Sequence, residues 1–532
     1  MRSEGRFGWL DQLLGQLLSE DLPVRELAPE PGLAPARSIS IDPEHWGRLG
    51  QATGHTGCRW VGCWGEDTGD ELIVHACFEK DRGYMLARTR LRRLTPILPS
   101  HTPYHPAADR SERHLQDLFG VAFSDHPDPR RWVRHQAWSA SEFPLRRDFP
   151  AAGHPLAQTP ADNGYKFLHA QGSGVCEIPV GPVHAGIIEP GHFRFQAVGE
   201  TILHLEERLG YTHKGTEKLA EGRDAAGLAR LAARVSGDAT VAHSWAACMA
   251  MEKAAGIELP ARALVLRAIM AERERIANHL GDIGAICSDV SLGFGFYQFS
   301  RLREEWQRIS LAAFGHRLLM GCIVPGGVVA DLEPAMIPAQ REQIRAVRPQ
   351  LGRLMDILTT SPTVVNRLAG TGRLAPALAA GFGALGYVGR ASGIDRDLRR
   401  DAPYAPYDRL KIPVAVSKDG DVAARLRVRA EEISGSLVLI ETLLAELPPG
   451  PVCVPWTPPA PDAQGLGMVE GWRGETLAFV RFGDEGRIAR YYPRDPSVIN
   501  WPLLELLVED DIVPDFPVCN KSVNGSYSGN DL

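Results

Sequence analysis

Apolar residues recur at helical spacing across Phe7–Leu18, and this predicts an amphipathic helix near the start of the chain. The pattern then changes period. Cys58–Trp64, Glu71–Phe78 and Tyr84–Leu91 are β-rich runs, the first two separated by the turn-prone stretch Gly65–Asp70. A run of turn residues follows from Pro150 to Gly164, rich in Pro, Ala and Gly. It divides the chain into an expected domain over 1–150, a linker over 151–164 and a second domain over 165–532.

Beyond the linker a short strand-like opening gives way to long helical segments. Around 264–284, Leu266, Ile269, Met270, Ile276, Leu280 and Ile283 fall on one face, interrupted by Arg273. Asp421–Leu447 reads as a second long helix. The Pro-rich stretch Pro448–Pro461 then leads to a hairpin over Glu475–Tyr492 that turns at Gly483–Gly486. No internal repeat at a fixed period is present. The pattern predicts an α+β protein, with a small α/β domain followed by a larger, mainly helical one with small β elements.

Composition narrows the function classes. With 58 basic and 65 acidic residues the net charge is −7, which argues against a phosphate-binding surface and so against nucleic acid as a partner. The nine cysteines are an odd number, scattered singly and without a C-x-x-C pair. They form no disulfide framework, zinc ribbon or self-contained iron–sulfur motif, and they fit a reducing compartment. Arg2, Glu4 and Arg6 precede only a modest apolar stretch, so no secretory signal is expected. The most apolar region, Leu311–Val329, is broken by His316, Arg317 and Pro325 and is too polar to span a bilayer. The expectation is a soluble chain, and docking on a membrane complex stays open.

Two sets of motifs carry a family resemblance. Asp117–Gly120, His126–Asp128 and Pro144–Phe149 resemble the 30 kDa (C-type) domain of complex I, a scaffold that braces neighbouring subunits. On that reading Arg146 and Arg147 either brace the fold or are simply solvated. The remainder resembles the large subunit of group 4 [NiFe]-hydrogenases and its complex I relative, the 49 kDa (D-type) subunit. The ordered anchors are Gly181–His184, Glu189–Arg194, Tyr211–Lys218, Arg234–His243, Gly326–Val328, Arg390–Gly393, Arg429 with Glu432, and Glu470–Glu475.

The departures from that family bear directly on chemistry. Its hydrogenases hold nickel and iron with four thiolates, because soft sulfur ligands suit these metals. At the corresponding places this chain has Ser236 and Ala239 in the first motif and Ser526 and Gly529 in the last. Cys519 is the one cysteine near either motif and would act alone. The resemblance therefore implies a metal-free cavity and no hydrogenase activity. Metal-bearing relatives are processed three residues beyond the last cysteine; counting from Gly529 reaches Leu532, where this sequence stops, so no nickel-dependent maturation is expected.

The residues implied to line the vacated cavity are Arg473, Glu470, Glu189, His192 and His243, with Trp472 replacing a proline to make a bulkier wall. Arg473 needs a carboxylate or an anionic ligand to offset its desolvation. Two readings of the cavity stand side by side: a polar site that takes a quinone or relays protons, or a satisfied remnant network. His204, His213 and His316 are expected to be structural, and Arg273 and Arg317 to pair with carboxylates between helices.

The resemblance implies no cofactor held by the chain itself. It implies a small iron–sulfur partner with a [4Fe–4S] cluster, antiporter-like membrane-arm subunits and placement on the cytoplasmic face of the inner membrane. The complex would couple electron transfer to ion translocation. A quinone-reducing dehydrogenase subunit of C/D type, or a silent scaffold served by formate dehydrogenase or another electron source, are the alternatives.

Overall fold

The computed structural model describes residues 7–154, 164–183 and 188–532. The central part of the expected linker and the motif histidine at position 184 therefore lie outside the described residues.

The first helix, Gly8–Ser19, buries Trp9, Leu10, Leu13 and Leu17, the face that its spacing predicts. Three long strands follow at Arg59–Asp67, Glu71–Lys80 and Gly83–Arg92. With Val24–Glu26 and Ala36–Ile41 they make a five-stranded sheet in which Ala36–Ile41 runs parallel to Gly83–Arg92 and the other pairs are antiparallel. Helices Trp46–His55 and Asp109–Phe119 complete this α/β unit.

A three-stranded antiparallel sheet of Val175–Val180, His192–Val198 and Thr201–Arg208 opens the second part, with His192–Val198 central. Its body is a set of long helices: Thr240–Ala255, Ala261–Asp289, Gly293–Phe314, Met336–Thr360 and Val422–Ala445. The last begins where Asp421 accepts from the Ala424 amide at 2.7 Å, a side-chain N-cap. The expected hairpin is the outer two-thirds of a three-stranded antiparallel sheet, Gln464–Gly471, Gly474–Phe482 and Ile488–Arg494. The sequence pattern misses its first strand because Gly465, Gly467 and Gly471 break the β-rich run. Those glycines let the strand lie directly on the 240–255 helix. A Cβ at Gly467 would stand 1.9 Å from the Ala246 carbonyl oxygen.

The two parts share a core. Trp64 of the first sheet packs against Phe479 and Tyr492, with ring centroids 5.1 and 5.0 Å away. Val61, Cys77, Tyr84 and Leu86 join Leu466, Met468 and Leu477 in the same apolar cluster. The strand Arg59–Asp67 is buried on both faces, which is why its sequence does not alternate. Ion pairs rim the contact: Arg59 reaches Glu475 at 2.7 Å and Arg481 reaches Glu66 at 2.6 Å. Arg146 donates to the Phe119 carbonyl at 2.8 Å and lies over Phe143, so it braces the first unit.

Among the described residues, no helix is long and apolar enough to cross a membrane.

Candidate functional site

The first motif forms a turn into the 240–255 helix. Thr240 Oγ1 donates to the Ala233 carbonyl at 2.8 Å, and the Ala239 amide donates to the Ser236 carbonyl at 3.1 Å. The last motif is anchored from the other side. Asn524 takes the left-handed conformation (φ 42°) that ends the Phe516–Val523 helix. Ser526 then caps the short helix Tyr527–Asp531, its hydroxyl accepting from the Gly529 amide at 2.9 Å.

These two turns bring Ser236 and Ser526 together. Their hydroxyl oxygens are 2.8 Å apart in a shared hydrogen bond. Ser236 also donates to Asp238 at 2.7 Å. Asp238 in turn receives both arms of the Arg473 guanidinium, at 2.8 and 2.7 Å, while Arg473 Nε donates to the Asn524 carbonyl at 2.7 Å. Trp472 donates to the Asp238 carbonyl at 2.8 Å, and the guanidinium carbon of Arg473 lies 4.0 Å from the Trp472 ring centre. Burial works against the Arg473 charge, but Asp238 outweighs it and raises the guanidinium pKa further. Asp238 is a carboxylate at an edge, its side chain 37% exposed.

His243 completes the cluster through Asp495, which its Nε2 meets at 2.8 Å. Asp495 also accepts from the Ser497 amide at 2.8 Å. Burial raises the Asp495 pKa; His243 and the Arg473 charge outweigh it and hold the carboxyl well below the usual range. Glu189 reaches the same region, accepting from the Ser528 amide at 2.8 Å.

Two predicted members stand elsewhere. His192 bonds the Gly181 carbonyl at 3.2 Å and packs on Phe167. Glu470, although three residues before Arg473, accepts from Arg390 and the Leu398 amide, both at 3.0 Å. It belongs to a separate buried network with Glu432, Asp397 and Arg399. Burial and the neighbouring Asp397 charge push its carboxyl up to about 7, against the pull of Arg390. In the other direction, Asp495 and Ser497 belong to the cluster without carrying a sequence signal, while Asn524, which opens the last motif, joins it through its backbone carbonyl. Asp238 could have been found, since it sits inside the first motif and Arg473 requires a carboxylate.

The expected structural residues divide. His213 Nδ1 donates to the Asp531 carbonyl at 2.7 Å, and His316 accepts from the Leu318 and Met320 amides at 3.1 Å. Arg317 pairs with Glu304 at 2.6 Å. Arg273 differs from expectation. It is fully buried among neutral acceptors, Ser310, Gln340, Gln343 and the Trp306 carbonyl, and burial lowers its pKa to about 9.

The donor set does not fit a nickel–iron centre. Ala239 and Gly529 offer no side-chain donor, and the two serine hydroxyls are hydrogen-bonded to each other. Position 529 is also closed sterically, because a Cβ there would lie 2.7 Å from Asp495 Cγ. Cys519 points away, toward Asp511 at 3.7 Å. Among the described residues, no group of three His, Cys, Asp or Glu side chains is placed to hold a metal.

An α/β unit fused to a helical body, with paired turns meeting under an arginine, defines the class: the chain belongs to the family of complex I 30 and 49 kDa subunits and related hydrogenase large subunits. Residues 43–155 match the 30 Kd subunit of respiratory-chain NADH dehydrogenase, 289–459 match its 49 Kd subunit, and 214–281 match nickel-dependent hydrogenase. Formate hydrogenlyase subunit 5 of Escherichia coli (strain K12) is 35% identical over 82% of this chain and 77% of its own length. Hydrogenase-4 component G of the same organism is 34% identical over 81% of this chain and 75% of its own. The C/D subunit of NADH-quinone oxidoreductase from Phocaeicola vulgatus is 33% identical over 77% of this chain and 82% of its own. A solved chain of the membrane-bound sulfane sulfur reductase, an archaeal respiratory membrane complex, superposes with a TM-score of 0.64 at 25% identity, covering 68% of this chain and all of that one.

Proposed function

We propose that this chain is the fused peripheral-arm subunit of a membrane-bound, complex-I-like and hydrogenase-related oxidoreductase that couples electron transfer to ion translocation. Its former metal pocket operates without metal. The observation that carries this reading is the direct Ser236–Ser526 hydrogen bond beneath the Arg473–Asp238 pair, at the place where the family resemblance puts thiolates. Fusion of the 30 and 49 kDa-like segments in one chain, as in the C/D relatives, supports the peripheral-arm assignment.

The partners follow from the same reading. A small iron–sulfur partner holds the [4Fe–4S] cluster that exchanges electrons within the complex. Antiporter-like subunits form the membrane arm, on whose cytoplasmic face the chain sits. The electron source is a separate module, of which formate dehydrogenase is one kind. A quinone headgroup is a second candidate acceptor; three of the five N–H donors of Arg473 are engaged within the chain, which leaves two for a ligand.

Purification of the intact complex tests the proposal. Mass spectrometry should recover an iron–sulfur subunit and antiporter-like membrane proteins, and metal analysis should find iron without stoichiometric nickel. Tightly bound nickel in proportion to this chain, with hydrogen uptake, would overturn it.

A further inference from the structure

Glu207 is entirely buried, and neither of its carboxylate oxygens has a hydrogen-bond partner. Its amide donates to Glu505 Oε1 at 2.8 Å, which brings a second acid alongside. The same Glu505 oxygen accepts from Arg110 at 3.1 Å. Arg110 lies on the Asp109–Phe119 helix of the 30 kDa-like segment, stacked over Trp132 at 4.0 Å. Glu207 and Glu505 come from the strand Thr201–Arg208 and the helix Ser497–Leu507 of the other part. The cluster therefore sits where the two parts meet.

Charge counting decides the protonation state. Two ionised carboxylates here would face one guanidinium, which Asp109 already shares at 3.2 Å. An ionised carboxylate with both oxygens buried and unpaired loses its hydration without compensation, whereas a protonated one loses far less. We infer that Glu207 and Glu505 form a buried one-proton site: the pair holds a single proton at neutral pH, leaving one negative charge for Arg110, and its release in alkali loosens the junction.

The groups facing the pair are Glu505, Arg110, Asp531 and Tyr527 around Glu207, and Arg110, Asp109 and His204 around Glu505. Burial is the largest influence and raises both acids, and each carboxyl is raised further by a neighbouring acid. A carboxyl whose folded pKa lies above its unfolded value of about 4.3 favours folding least once it ionises. Stability is full below that value and declines as pH rises, until the folded pKa is passed. The site needs nothing from the redox reading and would stand if that reading failed.

The experiment compares thermal and urea unfolding of the full chain with that of the E207Q variant from pH 5 to pH 9. Glutamine keeps the shape but binds no proton. The folding constant of the variant should rise relative to wild type as pH increases, by at most about tenfold per pH unit for one proton. Parallel curves for the two proteins overturn the proposal. If E207Q does not fold, E505Q decides the question, since it keeps an oxygen for the Glu207 amide and for Arg110 and leaves Glu207 buried: the alkaline decline must persist, ending at a lower pH because the Glu505 charge is gone. An E505Q protein whose stability no longer declines with rising pH overturns the proposal equally.

Discussion

Arg473 and Asp238 form a two-armed ion pair in which the arginine is buried and the aspartate sits at an edge. Removing one partner of such a pair leaves a desolvated charge, so Asp238→Asn should cost about 3–5 kcal/mol in urea unfolding. Arg473→Lys keeps the charge but loses the planar fork, and should cost about 1.5–3 kcal/mol. If the pocket also takes a ligand through Arg473, turnover per intact complex falls with it; unchanged turnover with normal assembly supports a purely internal role. Position 529 offers a sharper contrast. Gly529→Ala would drive a methyl group into Asp495, and a loss of about 1–3 kcal/mol is expected by thermal unfolding.

The residue types at the four ligand positions can be read from the sequence, but their arrangement cannot. Ser526 looks like a lost ligand in the sequence; in the fold it is also a helix N-cap. Glu470 reads as a cavity residue because it stands three residues from Arg473. That spacing crosses the turn between two antiparallel strands, Gly471 pairing with Gly474, so the motif does not place the two side chains in one pocket. Asp495 and Asn524 lie in segments whose local pattern says nothing of long-range partners.

At the scale of elements, apolar spacing locates the helices Ala261–Asp289 and Val422–Ala445 to within a few residues, but it does not single out Thr240–Ala255, Gly293–Phe314 or Met336–Thr360. Strand Gln464–Gly471 escapes notice because its glycines serve contact rather than propensity. With Gly465 and Gly467 set against the Ala250 and Ala246 carbonyls, the strand and the 240–255 helix touch backbone to backbone. Gly467→Ala should therefore force the two apart and destabilise the chain by roughly 3 kcal/mol or more, beyond the usual cost of overpacking. Circular dichroism during denaturation measures this, and a change below about 1 kcal/mol, close to the size of an ordinary surface substitution, would show that the contact yields easily.

For the whole molecule, the junction between the two parts is the least legible feature. A turn-rich linker suggests independence, yet strand Arg59–Asp67 is covered on both faces, its Glu66 is held by Arg481 from across the boundary, and its Arg59 holds Glu475 on the other side. Glu66, Glu217 and Glu475 are raised by burial but pulled down further by their cationic partners, each to about 2. Their contribution is complete above the unfolded value of about 4.3 and is lost as pH falls toward 2, roughly 2–3 kcal/mol apiece when all of it is gone. Unfolding measured from pH 6 to pH 3 should steepen below pH 5, and Glu475→Gln should remove part of that slope. A flat acid limb in the wild type would contradict the assignment.

The shared apolar layer around Trp64 also changes what the peptide link between the two parts accomplishes. A contact so well buried does not depend on the tether for its geometry. The tether instead sets an effective concentration, of about millimolar order for a short link, and fixes the two parts at equal copy number during assembly. Cleaving the chain between Pro150 and Gly164, where limited proteolysis should act first, is expected to leave two fragments that elute together in size-exclusion chromatography. They should separate only in acid or denaturant, so that fusion governs how the subunit is supplied more than how it is held.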